Sequence, residues 1–211
     1  MSTSLPSLPA FHSRVVPVVV LQDAAHAVPL ARALLAGGID VIEITLRTPC
    51  ALDAIAAVAR EVPEMQVGAG TLLSADDVRR AQGAGARFGL SPGHSPALLR
   101  AVAEAGLPFV PGVMTPGEVM AAREAGYQLM KLFPATVAGG LDMLKALASP
   151  FGDVRFCPTG GVSLDNLGGF LKQPNVALVG GSWLAPAAAL QAGDWSQITT
   201  LARQAMALSA G

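Results

Sequence analysis

Short apolar runs rich in branched side chains alternate along this chain with longer alanine- and leucine-rich segments. Arg14 to Leu21, with five valines, is long enough for a fully buried strand. Asp23 then offers a helix cap, and the segment after it runs through Leu35 to Gly37-Gly38. Ile39 to Thr45 reads as a second strand, and residues 50–61 as a helix that stops before Pro63. The beat then repeats. Strands are expected at 66–69, 87–90, 108–111, around Lys131, at 154–157 and at 176–179. Helices are expected after Ser74, after Ser95-Pro96 and after Thr115-Pro116, where a hydroxyl cap precedes the next helical residue. Three more follow: from about 140 to 148, after Ser163, and from about Asp194 to the end.

Four helices are expected to close on Ala-Gly just before a strand, at Gly37, Gly85, Gly106 and Gly126. A glycine there accepts the left-handed conformation that ends a helix, so the strand starts at once. Eight strand-then-helix units imply an α/β fold, a parallel sheet closed into a (β/α)8 TIM barrel. The alternative is an open doubly wound sheet, which needs a glycine-rich dinucleotide fingerprint at the first turn. Gln22-Asp23 stands there instead, and the barrel is favoured. Residues 1–211 are expected to form a single barrel domain, with residues 1–13 as a short mobile lead-in.

Composition narrows the class. Hydrophobic residues make up 52% and charged residues 14%, yet no apolar run is long enough for a membrane-spanning helix. No secretion signal is read at the start, and a cytoplasmic setting without membrane contact is expected. Net charge is -1 with no basic run, which argues against nucleic acid as a partner. Cys50 and Cys157 have no metal or redox spacing, and His12, His26 and His94 are scattered, so neither metal nor cofactor is expected.

Chemistry is carried by a short set of polar residues. The chain has three lysines against eleven arginines, and Lys145 and Lys172 lie in helical segments open to water. Lys131 instead interrupts the apolar run Gln128 to Pro134, where an unpaired ammonium is costly. A neutral amine in such a place attacks carbonyls and forms a Schiff base; the competing reading is a strand-end lysine that snorkels to water. In a barrel the active site lies where strands run into the following helices. Collecting polar residues there gives Glu43 and Arg47 after strand two, Thr71 after strand three and Lys131 on strand six. Thr159, Gly160 and Gly161 follow strand seven, and Gly180, Gly181 and Ser182 follow strand eight. The loops after the last two strands of a barrel often hold a phosphate through backbone N–H groups, although each is also compatible with a plain tight turn. Glu43 is suited to proton shuttling or to a structural ion pair with Lys131 or Arg47, and the two readings are compatible. Arg47 is suited to a substrate carboxylate or to solvent, and Thr71 to the same ligand or to a helix cap.

Together these residues suggest imine chemistry on a phosphorylated keto acid. The motifs Glu43-Ile44-Thr45-Leu46-Arg47-Thr48, Gly68-Ala69-Gly70-Thr71 and Lys131-Leu132-Phe133-Pro134-Ala135 occur in this order. They are followed by Arg155 to Gly161 and by Gly180-Gly181-Ser182-Trp183. As a set they closely resemble the 2-keto-3-deoxy-6-phosphogluconate (KDPG) and 4-hydroxy-2-oxoglutarate aldolase family, from about Val15 to the C-terminal helix. The resemblance implies Lys131 as Schiff-base lysine, Glu43 as catalytic glutamate, and Arg47 with Thr71 at the pyruvate carboxylate. It places Gly160, Gly161, Gly181 and Ser182 at the phosphate, with Thr159 near the substrate. It also implies a homotrimer that uses no metal. Two departures bear on substrate preference: Thr136 stands where a family member carries glutamate, and the Pro-Gly loop continues as His94-Ser95. The implied reaction is class I cleavage of 2-dehydro-3-deoxy-6-phosphogluconate to pyruvate and glyceraldehyde 3-phosphate. Its rivals are the same chemistry on 4-hydroxy-2-oxoglutarate or 2-dehydro-3-deoxy-6-phosphogalactonate, and a non-catalytic phosphate-sugar binding barrel.

Overall fold

Strands and helices alternate throughout residues 5–209, the part of the chain described by this computed structural model. The order is β1 (Val15–Val19), α1 (Ala27–Ala36), β2 (Val41–Thr45), α2 (Ala51–Glu61), β3 (Gln66–Gly70), α3 (Ala75–Gly83), β4 (Phe88–Leu90) and α4 (Pro96–Ala105). It continues with β5 (Phe109–Val110), β6 (Gly112–Val113), α5 (Pro116–Glu124), β7 (Leu129–Leu132) and α6 (Gly140–Ala148). Then come β8 (Arg155–Phe156), α7 (Leu164–Leu171), β9 (Val179–Gly181), α8 (Ala187–Ala192) and α9 (Trp195–Ser209).

All strand pairs are parallel, in the orders β5-β4-β3-β2-β1-β9 and β6-β7-β8. β5 and β6 are one barrel strand interrupted at Pro111, which has no N–H to give to a ladder. Bridges from Phe156 to Val176 and from Thr159 to Gly180 join the end of the second sheet to β9. The sheet therefore closes on itself as the expected (β/α)8 barrel, and Lys131 on β7 lies on the sixth barrel strand. The hydroxyl caps are in place: Ser74, Ser95 and Thr115 each accept from the amide three residues on. Thr115 and Glu118 close a full capping box, and two backbone amides hold the Glu118 carboxyl below its ordinary range against the opposing effect of burial.

Three local expectations are corrected. Gly37 has φ −91 and is not left-handed; Gly38, with φ 93, makes that turn. Gly37 is small for another reason, since a Cβ there would land on Ala202 of α9. Gly85, Gly106 and Gly126 do take positive φ as expected. The last strand is 179–181 and not 176–179, so Gly180 and Gly181 lie within it and pair with Val16 and Pro17. A ladder needs only backbone, so two glycines extend the strand where side-chain preference argues against it. The chain also forms a short α8, which the hydrophobic pattern did not predict.

The lead-in is packed where a mobile segment was expected. Residues 5–13 hold no helix or strand, but Leu5, Leu8 and Phe11 lie against the core and Phe11 meets the ring of Phe88 at 6.2 Å. The amides of His12 and Ser13 donate to the Asp40 carboxylate at 2.8 and 3.0 Å. Phe88 begins β4 and Asp40 precedes β2, so this segment covers the barrel end where strands begin. The opposite end, where strands run into helices, stays open for the site. Residues 1–4 of the lead-in lie outside the described residues. Among the described residues no helix is long and apolar enough to cross a membrane.

Candidate active site

Glu43 and Lys131 meet inside the barrel. The Lys131 amine donates to both Glu43 oxygens, at 2.8 and 3.1 Å, and the two side chains are only 3% and 1% exposed. They come from barrel strands two and six, which face each other across the interior, so the pair bridges the barrel. Alternation along β2 decides the direction: Ile42 and Ile44 pack outward under the helices while Glu43 points in. Glycine makes the reach possible. A Cβ on Gly70, in the neighbouring β3, would land on the Glu43 carboxylate. Lys131 is thus a buried amine paired with Glu43, one of the two ion-pair partners open to that carboxylate, and not a snorkelling surface lysine. Lys145 and Lys172, by contrast, are exposed.

The two groups expected at a keto-acid end are also brought together. Arg47 Nε donates to Thr71 Oγ1 at 3.0 Å on the open rim. Thr71 has φ 62, the one non-glycine residue in the left-handed region among the described residues. Such a conformation costs on the order of 1 kcal/mol and persists where surroundings over-determine it. Here it follows Gly70, the residue that makes room for Glu43.

The two glycine-rich loops are neighbours as well. The Gly180 N–H donates to Pro158 O at 2.9 Å, and a Cβ on Gly180 would land on the hydroxyl of buried Thr159. Gly160 and Gly161 have φ 96 and 76, conformations open to glycine. The indole of Trp183 covers Gly181, and Ser182 is exposed at the rim. Thr136 reaches this corner too: its N–H and hydroxyl both donate to Gly160 O, at 3.1 and 3.3 Å. The N–H groups of Gly161 and Ser182 donate to no protein acceptor among the described residues.

With this geometry in place, likeness to known proteins becomes informative. The family described as KDPG and KHG aldolase matches residues 10–201. This chain belongs to that family. Among its members, the KHG/KDPG aldolase of Escherichia coli K12 is 50% identical over 192 residues, 91% of this chain and 90% of that protein. The 2-dehydro-3-deoxy-phosphogluconate aldolase of Pseudoalteromonas atlantica is 50% identical over 93% of this chain and 92% of its own length. The solved KDPG aldolase of Legionella pneumophila superposes with a TM-score of 0.89 at 44% identity, covering 90% of this chain and 93% of that one. It holds pyruvate captured at low pH as a covalent carbinolamine intermediate. The Zymomonas mobilis ZM4 enzyme, solved with 3-phosphoglycerate, has a TM-score of 0.87 at 44% identity, with coverage of 93% and 92%.

Within this family framework three residues of the barrel mouth went unassigned in the sequence. Gly70 is one, for the space it leaves to Glu43. Gly112 is another: it pairs with Lys131 in register, and its position after Pro111 at a strand end was the available signal. The third is Cys157, fully buried, its Sγ 3.8 Å from Thr159 Oγ1. Burial pushes its thiol up to about 11, against the pull of the Lys131 charge, so it stays protonated and is not a nucleophile. Among the described residues no group of three or more metal-binding side chains occurs.

Proposed function

We propose that this protein is a class I aldolase that cleaves 2-dehydro-3-deoxy-6-phosphogluconate to pyruvate and glyceraldehyde 3-phosphate. The observation that carries the proposal is the buried Lys131–Glu43 pair at the barrel mouth, in a chain that belongs to this family. An amine held against a carboxylate can pass it a proton and become a nucleophile in place. Lys131 Nζ then attacks the C2 carbonyl, and loss of water from the carbinolamine gives a protonated imine. Removal of the C4 hydroxyl proton breaks the C3–C4 bond, and the electron pair flows into the imine to leave the enamine of pyruvate. Protonation at C3 and hydrolysis release pyruvate and restore the amine. Glu43, directly or through water, takes and returns these protons.

Arg47 and Thr71 hold the keto-acid carboxylate in this scheme. The free N–H groups of Gly161 and Ser182, with Gly160, Gly181 and Thr159 around them, hold the phosphate. Fixing both ends orients the C3–C4 bond, an effect worth several kcal/mol of barrier. The captured carbinolamine in the Legionella protein and the 3-phosphoglycerate in the Zymomonas protein support the two ends of this assignment. Neither metal nor added cofactor has a part in it.

Incubation with pyruvate and borohydride tests the scheme. A reduced pyruvyl adduct on the peptide containing Lys131 is expected in mass spectrometry; no adduct there overturns the imine mechanism. Rates on 4-hydroxy-2-oxoglutarate and on the galactonate isomer, measured beside the gluconate substrate, rank the substrates. We further propose a cytoplasmic homotrimer. Sedimentation equilibrium is expected to give three chains per particle, and a monomer at micromolar concentration overturns it.

A further inference from the structure

The loop Ser91-Pro92-Gly93-His94 finishes a strand ladder that Pro111 breaks. The pairing of β4 with β5 ends at Leu90 and Val110, and Gly112 has no strand partner on that side. Two side chains of the loop replace it. The Gly112 N–H donates to Ser91 Oγ at 3.4 Å, and the Gly112 carbonyl lies 2.8 Å from His94 Nδ1. A carbonyl only accepts, so Nδ1 carries the proton and donates. The shorter of these two tethers is the histidine.

On its other side Gly112 pairs with Lys131. Register partners in adjacent strands turn their side chains to the same face, so the empty side-chain position of Gly112 faces the barrel interior beside the lysine. The Pro92–Gly93 peptide fills it: a Cβ on Gly112 would land on the Pro92 carbonyl group and on Gly93 N. The interior surface flanking the Lys131 side chain on this strand is therefore backbone from this loop.

We propose that His94 is a positioning residue for the reaction. Its Nδ1–H clamps the Pro92–Gly93 peptide and the Gly112 strand together, and so sets the wall beside Lys131. This inference rests on the aldolase function proposed above. Asparagine at this position offers a donor where Nδ1 stands, glutamine offers one nearer to Nε2, and leucine offers none. For His94→Leu and His94→Gln, kcat is expected to fall about tenfold with KM less affected, the scale of one hydrogen bond lost from the positioning of the wall beside Lys131. His94→Asn is expected to keep most of the rate. A role in bulk packing alone would not separate asparagine from glutamine.

Equal kcat values in the three variants overturn the proposal, as does an unchanged kcat in His94→Leu. A measurement on the unaltered protein guards against variants that fold poorly. The 15N spectrum of the histidine rings is expected to show His94 protonated at Nδ1 at neutral pH, and a ring whose Nδ1 carries no proton overturns the clamp. Failure of the aldolase function itself reads differently, as absence of a pyruvate adduct in the unaltered protein.

Discussion

Lys131→Met abolishes aldol cleavage and pyruvate trapping, and it destabilises the fold by the same change. Methionine matches the length of the stem but has no amine, so no imine forms at the barrel mouth. It also strands Glu43, which is 1% exposed and whose ion-pair partner is Lys131. Removing one side of a buried ion pair costs about 3–5 kcal/mol because the other charge is left without compensation. The double variant Lys131→Met with Glu43→Gln is therefore expected to regain much of the lost stability while staying inactive. Calorimetry and a pyruvate-release assay on both variants separate the two effects. Activity in Lys131→Met, or a double variant no more stable than the single one, contradicts this account.

Glu43→Gln keeps the shape of the site and loses its proton traffic. The amide oxygen still accepts from Lys131, and Gly70 still leaves the space a side chain of this size needs. What disappears is a group that takes a proton in one step and returns it in the next. Turnover is expected to fall about a hundredfold or more, the scale of lost general acid–base help, while the pyruvate adduct still forms under borohydride. Unchanged turnover removes Glu43 from the mechanism. Loss of the adduct along with turnover makes its role one of holding Lys131 in place.

The contrast between these residues and their neighbours explains what was legible beforehand. Lys131 stood out because a charge inside an apolar run is costly and must be satisfied somewhere. Glu43 stood out for the same reason between two isoleucines. Arg47, Thr71 and the two glycine loops could be assembled on one rim because a barrel brings the ends of its strands together. Gly112 and His94 carried no such sign. Their importance comes from a contact across 18 residues of chain between a carbonyl and a ring nitrogen, which no periodicity encodes. The end of the last strand was misplaced for a related reason, since Gly180 and Gly181 join it through backbone pairing with β1.

The sequence by itself determined the repeating strand–helix units and the polar residues on their rim, and its motifs carried the resemblance to an aldolase family. Those follow from local rules of burial, capping and turn formation, which act over a few residues. Only the tertiary structure decided that Glu43 pairs with Lys131 and not with Arg47, that the lead-in is packed under the barrel, and that the Pro92–Gly93 peptide fills the side-chain position of Gly112 beside Lys131. Each of these depends on which strands lie opposite or adjacent once the sheet closes, and on the missing side chains of Gly70 and Gly112 that let distant groups approach.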